Sequence, residues 1–158
     1  MLSEQETREI EDLLSHYDHK QAACVEALKV VQQHRGWVAD DSLHDVAELL
    51  TMTPDEVDGL ATFYNLIFRR PVGRHVILVC DSISCWILGY EELVKHMEEQ
   101  LGIQMGQTTA DGQFTLLPIP CLGACDRGPA MMVDDELYTN LDKDEIDSIL
   151  DQYGQGKS

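Results

Sequence analysis

The chain has 158 residues and a formal net charge of −18, with 29 acidic against 11 basic side chains. This excess of negative charge argues against a nucleic acid or an anionic lipid surface as the partner. Hydrophobic residues make up 44% of the sequence, which is enough to build a buried core. The sequence therefore predicts one domain of ordinary size, or two small ones.

The apolar runs and the first residues of the sequence indicate where in the cell the protein is expected. The longest run, HVILVC at residues 75–80, is far shorter than the roughly 20 residues that cross a bilayer. The first residues, MLSEQETREIED, are acidic and lack the basic and apolar regions of a signal peptide. We therefore expect no direct membrane insertion and a reducing cytoplasm. There, five cysteines are more often ligands or reactive thiols than disulfide partners.

The first seventy residues predict four short helices in a small bundle. Ser3 and Glu6 have capping-box spacing at the first helix, and Thr53 and Glu56 repeat it at the fourth. The second helix is expected to end at Gly36. The predicted buried faces are Ile10, Leu13, Leu14 and Tyr17; Ala23, Ala27, Val30 and Val31; Leu43, Val46, Ala47 and Leu50; and Val57, Leu60, Ala61, Tyr64 and Phe68.

The pattern changes at RRPVGR, residues 69–74, where proline and glycine interrupt the helical periodicity. The elements predicted after it are the buried strand HVILVC, a helix past Gly89, the strand FTLLPIP (114–120), a hairpin over 130–141 turning at Asp134-Asp135, and a last helix capped by Asp142 and Glu145. The order β-α-β-β-β-α describes a compact sheet with helices on its faces, so the fold class is mixed α and β.

Four cysteines follow two of the predicted strands. Cys80 ends the first strand and Cys85 comes five positions later, whereas Cys121 follows FTLLPIP and Cys125 comes four positions later. If the two strands are neighbours, both pairs lie at the same edge of the sheet and four sulfur atoms can converge.

Spacing alone leaves three interpretations of these thiols. Four thiolates suit a tetrahedral zinc ion or an iron–sulfur cluster. Zinc sites favour tighter C-x2-C pairs, whereas a two-iron cluster needs one sulfur pair on each of two separated irons, which suits the wider loops. Free redox-active thiols are the third possibility, although the C-x-x-C motif of such enzymes is absent from the sequence. The motifs H-E-x-x-H, G-x-S-x-G and a phosphate-binding glycine loop are also absent, so no catalytic machinery is visible.

Three segments, HVILVCDSISCWILGY, FTLLPIPCLGACDRGPAMMVDDELY and ATFYNLIFRRPVGRH, resemble a known family. It is the 24 kDa-type subunit of respiratory NADH:quinone oxidoreductase (complex I), known in bacteria as the E-type subunit, and the resemblance runs from residue 5 to residue 153. It implies an N-terminal helical bundle over residues 1–72 and a thioredoxin-like domain over residues 73–158. It also implies one [2Fe–2S] cluster, with the ligands Cys80, Cys85, Cys121 and Cys125.

The resemblance further implies an electron-transfer subunit that is not catalytically complete alone. NADH delivers a hydride, and a flavin is the usual converter of hydride to single electrons. Because the sequence lacks a phosphate-binding glycine loop, FMN and NADH are expected on a partner, the F-type subunit. Further iron–sulfur subunits are expected beside it, in the peripheral arm of a membrane-bound complex. The alternative in the same class is a diaphorase subunit of an NAD-linked hydrogenase or formate dehydrogenase. From other classes, the alternatives are a zinc-stapled adaptor and a thiol-dependent thioredoxin-like enzyme.

Residues outside the two cysteine pairs also carry expectations. Cys24 is expected to be a buried free thiol, because it lies among alanine and valine in a helix. Trp86 is expected either to fill the core or to face the partner. A cis peptide bond is expected before Pro129, as in thioredoxin-like folds. Arg69, Arg70 and Arg74 form either an interface or a solvated patch. Four thiolates on two irons in an acidic protein predict a low reduction potential.

Overall fold

A computed structural model of the protein describes residues 1–154, and the chain divides into two compact units, Met1–Pro71 and a second unit from Val72 onward. Within residues 1–154, no helix is long and apolar enough to cross a membrane. The first unit is helical and the second combines helices with one sheet. The predicted fold class, helices followed by a mixed sheet domain, is confirmed.

The first unit contains four α-helices among the described residues. They are α1 (Glu4–Leu14), α2 (Cys24–Arg35), α3 (Asp40–Leu50) and α4 (Pro54–Phe63). Both predicted capping boxes are present: the Ser3 and Thr53 hydroxyls accept the backbone N–H of the residue three positions on, at 3.2 and 3.3 Å. Helix α2 ends at Gly36, as predicted, in the left-handed conformation with φ +81°.

The helical core follows the predicted stripes, with errors at the ends of α1 and α4. The prediction that Tyr17 is buried is wrong, because α1 ends at Leu14 and Tyr17 lies exposed beyond it. The buried core residues are Ile10, Cys24, Ala27, Leu28, Val31, Val38, Leu43, Val46, Ala47, Leu50, Val57, Ala61 and Ile67. The predicted helical face through Tyr64 and Phe68 is wrong, because α4 ends at Phe63 and Tyr64 is exposed. The chain leaves the helix there, and Ile67 is buried in place of those two aromatic residues.

Two arginines hold this unit together through charged hydrogen bonds. Arg35 donates to both carboxylate oxygens of the buried Glu6, at 2.6 and 2.8 Å. The Arg35 hydrogen bonds hold the pKa of Glu6 at about 2, below its ordinary 4.5, against the opposing effect of burial. Arg69 donates to Asp58 at 2.9 Å and to Asp40 at 2.6 Å, so it is used inside its own unit. Arg69 is therefore not part of a solvated patch.

The second unit contains β1 (His75–Cys80), α5 (Ile83–Ile87), α6 (Tyr90–Leu101), β2 (Phe114–Ile119), β3 (Met131–Val133), β4 (Glu136–Tyr138) and α7 (Lys143–Gly154). The sheet order is β2-β1-β3-β4, with β1 parallel to β2 and antiparallel to β3. The hairpin turns at Asp134-Asp135, as predicted, and Asp142 caps α7 by accepting the Glu145 N–H at 2.8 Å. The sequence analysis missed the short helix α5 and a 3-10 turn at Cys125–Arg127.

The core of the second unit lies between the sheet and the helices α6 and α7. Its buried members are Ile77, Val79, Leu93, Met97, Ile103, Phe114, Leu116, Met131, Val133, Leu141, Ile146, Ile149 and Leu150. Strand β1 is buried along five of its six residues, which explains its unbroken apolar sequence. This core fixes β1 and β2 side by side, and thereby fixes the edge at which they end.

The Glu6–Arg35 pair predicts a pH-dependent stability. Because the pKa of Glu6 is lower in the folded chain than in the unfolded one, its stabilisation is complete above about pH 5 and is lost as the pH falls toward 2. Glu6→Gln should lower the free energy of unfolding by about 3 kcal/mol at pH 7. Urea unfolding followed by helical circular dichroism, at pH 7 and at pH 3, measures both effects.

The matched control is Glu11→Gln, an exposed carboxylate on the same helix. It should change the free energy of unfolding by less than about 0.5 kcal/mol at either pH. Equal losses from the two variants would show that the buried pair is not what stabilises this unit.

Candidate metal centre

The two cysteine pairs begin at one edge of the sheet. Strands β1 and β2 are parallel neighbours in a six-residue register that sets Cys80 opposite Ile119. Cys80 is the last residue of β1, and Cys121 lies two residues beyond Ile119. Parallel strands end at the same edge, so the expectation that these strands are neighbours is confirmed.

Helix α5 carries the second cysteine of the first pair. Its first turn closes where the Trp86 N–H donates to the Ser82 carbonyl at 2.9 Å. The turn directs Cys85 inward: its exposed fraction is 1%, and that of Cys80 is 2%. Cys85 was expected in a loop, and the structure places it on this helix because Ser82–Ser84 supply the N-terminal turn.

The thiol of Cys85 lies close to three other groups of the site. Burial raises its pKa above the usual value, and a hydrogen bond with the Cys80 thiol raises it further. The backbone N–H of Ala130 opposes both effects by donating to the sulfur, while the charge of Cys125 acts in the same direction as burial. Cys80 at the end of β1 and Cys125 on the second loop therefore both act on the Cys85 thiol.

The second pair lies on an exposed loop. Cys121 and Cys125 are both exposed. Gly123 adopts φ +73°, and its N–H donates to the sulfur of Cys121 at 3.3 Å. A side chain at this position would be strained, since L-residues rarely adopt this conformation. Cys125 begins a single 3-10 turn that ends at Arg127. The loop therefore presents both thiols outward and supplies a backbone donor to one of them.

The segment after this turn packs against the first pair. The Cys80 N–H donates to the Ala130 carbonyl at 3.1 Å. The peptide bond between Gly128 and Pro129 is cis, as expected. A Cβ added at Gly128 would lie 3.0 Å from Leu88 Cδ1 and 3.4 Å from Cys85 Sγ. Gly128 and Ala130 therefore shape the site, and the sequence analysis missed both because neither is a ligand type.

The donor set fits a thiolate-bound inorganic centre. All five cysteines are free thiols, and the four at the sheet edge are the soft ligands of iron–sulfur clusters and zinc. Within residues 1–154, no three Cys, His, Asp or Glu side chains lie close enough to hold one metal ion. The structure buries Cys80 and Cys85 at this edge of the sheet and leaves Cys121 and Cys125 exposed on the loop that follows β2.

Cys24 and Trp86 are two further residues for which the sequence carried expectations. Cys24 is 1% exposed in the helical unit, and burial raises the pKa of its thiol to about 11. The expectation of a buried free thiol there is confirmed. Trp86 is exposed, and its indole N–H donates to Glu91 at 3.3 Å, so it does not fill the core.

Comparison with known proteins shows the family to which the chain is similar. The family model described as thioredoxin-like [2Fe-2S] ferredoxin matches residues 10–154. The chain is 50% identical over 153 residues to the E-type subunit of the NADH-quinone oxidoreductase of Pseudomonas aeruginosa, covering 97% of this chain and 92% of that one. It is 49% identical over 152 residues to the protein of the same name from Escherichia coli strain K12, covering 96% and 92%.

One solved structure extends the comparison to a different assembly. It is an NAD+-reducing [NiFe]-hydrogenase in the air-oxidized state, with a TM-score of 0.74 and 25% sequence identity. The match covers 86% of this chain and 23% of that one, so the chain spans under a quarter of that relative's length.

Because neighbouring side chains lie so close to Gly128, replacing it with alanine should change the stability of the fold. Gly128→Ala should lower the free energy of unfolding by about 1 kcal/mol, because the added Cβ displaces the half-exposed Leu88 side chain and lies 3.4 Å from the buried Cys85 Sγ. Gly59→Ala is the control: nothing lies within 4 Å of its added Cβ, and alanine is favoured over glycine inside α4. Urea unfolding of the two variants should give opposite signs, and the same sign for both would contradict the crowding.

Proposed function

Since the chain belongs to the thioredoxin-like [2Fe–2S] ferredoxin family, and within it to the E-type subunits of NADH-quinone oxidoreductases, we propose that it is the electron-transfer subunit of such a complex. In this proposal Cys80, Cys85, Cys121 and Cys125 ligate one [2Fe–2S] cluster. The cluster lies close to the FMN of the partner NADH-binding subunit and exchanges single electrons with it.

The observation that carries the proposal is the placement of two cysteine pairs at one edge of a parallel strand pair. It is supported by relatives of the E-type that are about half identical over nearly the whole chain. The family match favours an iron–sulfur cluster over a zinc ion or a thiol-dependent enzyme. When bound, a two-iron cluster accepts and releases one electron at a time.

The chain's own residues hold, shield and tune such a group. The buried thiols of Cys80 and Cys85 bind on the protein side and exclude water there. The N–H of Gly123 donates to the sulfur of Cys121, and such donors are a known control on reduction potential. Cys121 and Cys125 would hold the group from the exposed second loop.

The flavin and the nicotinamide belong to the partner in this proposal. The sequence carries no phosphate-binding glycine motif. The F-type subunit therefore supplies FMN and the NADH site, and further iron–sulfur subunits carry the electrons onward. The proposed location is the peripheral arm of a membrane-bound complex, on the cytoplasmic side.

A second candidate assembly is favoured by one observation. The structural match to an NAD+-reducing [NiFe]-hydrogenase supports a role in a diaphorase module of that kind. Sequence identity of 50% to the E-type relative against 25% to the hydrogenase favours the quinone-reducing complex. Purification of the assembly from its native membrane, with identification of the co-purifying subunits, distinguishes the two.

The ligand assignment predicts different outcomes for two cysteine variants. Dithionite-reduced wild-type protein should give one unpaired electron spin per two irons by electron paramagnetic resonance, with matching sulfide. Cys121→Ala should abolish or badly damage this signal. Cys24→Ala, a buried thiol in the helical unit, should leave it intact. Equal damage from both variants would mean that the ligand set is wrong.

The charge at the proposed site predicts a low reduction potential. Four thiolates outweigh the positive charge of two ferric ions with two sulfides, so reduction adds an electron to a site that is already negative. The net charge of −18 on the chain acts in the same direction. Potentiometric titration should place the midpoint at or below that of the NAD couple, and a midpoint above it would contradict this electrostatic argument.

A further inference from the structure

The helix that carries Cys85 exposes almost all of its apolar side chains. Ile83 and Ile87 are 68% and 70% exposed, and Trp86 and Leu88 are about half exposed. We call these four residues the α5 patch. Cys85 is the buried member of the same helix. Large exposed apolar groups that adjoin one another mark binding surfaces more often than isolated ones do.

The α5 patch does not serve the core of its own unit. The buried cluster of the second unit draws on the sheet, α6 and α7, and none of the four patch residues is among its described members. Trp86 is held in place at the surface by its hydrogen bond to Glu91. An aromatic ring that is oriented in advance loses little conformational entropy on binding, which is typical of residues that dominate interfaces.

The border of the α5 patch is acidic. Asp81 precedes α5, Glu91 and Glu92 follow it, and all three are exposed. On the second cysteine loop, Asp126 is exposed and lies 3.4 Å from the guanidinium of Arg127. An apolar centre inside an acidic border complements a surface that is apolar in the middle and basic around it.

The patch also adjoins the outward side of the proposed metal centre. Cys85 lies on α5 itself, and a Cβ added at Gly128, three residues after Cys125, would lie 3.4 Å from its sulfur. Leu88 lies against Gly128, on the segment that follows Cys125. A partner bound to the α5 patch therefore also covers the second cysteine loop and lies close to the sulfur atoms.

From these observations we infer that the α5 patch is the docking surface for a redox partner subunit that presents an apolar centre with a lysine- and arginine-rich border. This inference rests on the proposed function, since it names the surface through which the proposed electron exchange takes place. Ile83, Trp86 and Ile87 form the centre of contact, and Asp81, Glu91 and Glu92 steer the encounter. Docking removes the exposed thiols of the second loop from water.

The test uses the full chain with its cluster and the co-expressed FMN-containing, NADH-binding subunit as the probe. The double variant Ile83→Ser/Ile87→Ser should raise the dissociation constant at least about tenfold, and Trp86→Ser should raise it by a similar factor. Leu137→Ser is the matched control, because Leu137 is an exposed leucine on β4 of the same unit, 42% accessible. It should bind as the wild type does. Wild-type affinity in the double variant would overturn the inference.

The acidic border is tested with a second pair of variants. Glu92→Lys should slow association with the same subunit and reduce its dependence on salt, whereas Asp151→Lys, an exposed carboxylate on α7, should leave the rate unchanged. Equal slowing by both would mean that the overall charge, and not this border, steers docking.

Two further readouts separate this inference from the proposed function. The paramagnetic signal of each isolated variant should match that of the wild type, since none of the substitutions removes a cysteine. A lost signal in the wild type would refute the cluster, whereas an intact signal with wild-type affinity in the double variant would refute only the docking surface.

Sedimentation of the chain alone should show a monomer. A dimer that the double variant dissociates, with affinity for the partner unchanged, would assign the patch to a second copy and overturn the inference.

Discussion

The arrangement of the second unit depends on the parallel pairing of β1 with β2. Parallel strands need a crossover of a dozen or more residues, and here α5, α6 and the segment up to Phe114 supply it. The pairing sets Cys80 opposite Ile119, and Cys121 follows two residues later. A slip in this register would separate the two pairs of thiols along the edge. The buried apolar side chains of both strands therefore stabilise the site as well as the fold.

The two pairs occupy different environments at that edge. Cys80 at the end of β1 and Cys85 on the inner side of α5 are buried, and Cys121 and Cys125 are exposed on the loop that follows β2. In the proposed function, a group held between them would be shielded by protein on one side and reachable on the other. This asymmetry suits an electron carrier, which must be protected from water yet approached by a partner. It also gives a reason for α5 to turn its thiol inward and its aliphatic side chains outward.

Charge has separate roles in the two units. In the helical unit, Arg35 and Arg69 are engaged with carboxylates, and the Glu6 carboxylate is buried because Arg35 donates two hydrogen bonds to it. In the second unit, carboxylates lie exposed around α5. The acidity of the chain is thus partly structural and partly available to a partner, and composition alone does not separate these two uses.

The sequence by itself determined the elements whose signals are local. Capping boxes at Ser3 and Thr53, the apolar run of β1 and the hairpin at Asp134 depend on neighbouring residues, and each is present as predicted. It also determined which thiols were candidate ligands, through their position after two strands. What only the tertiary structure decided depends on distant contacts. The helix α5 is five residues long, too short for a periodic signal, and the closeness of Gly128 to Cys85 arises from packing across more than forty positions of sequence.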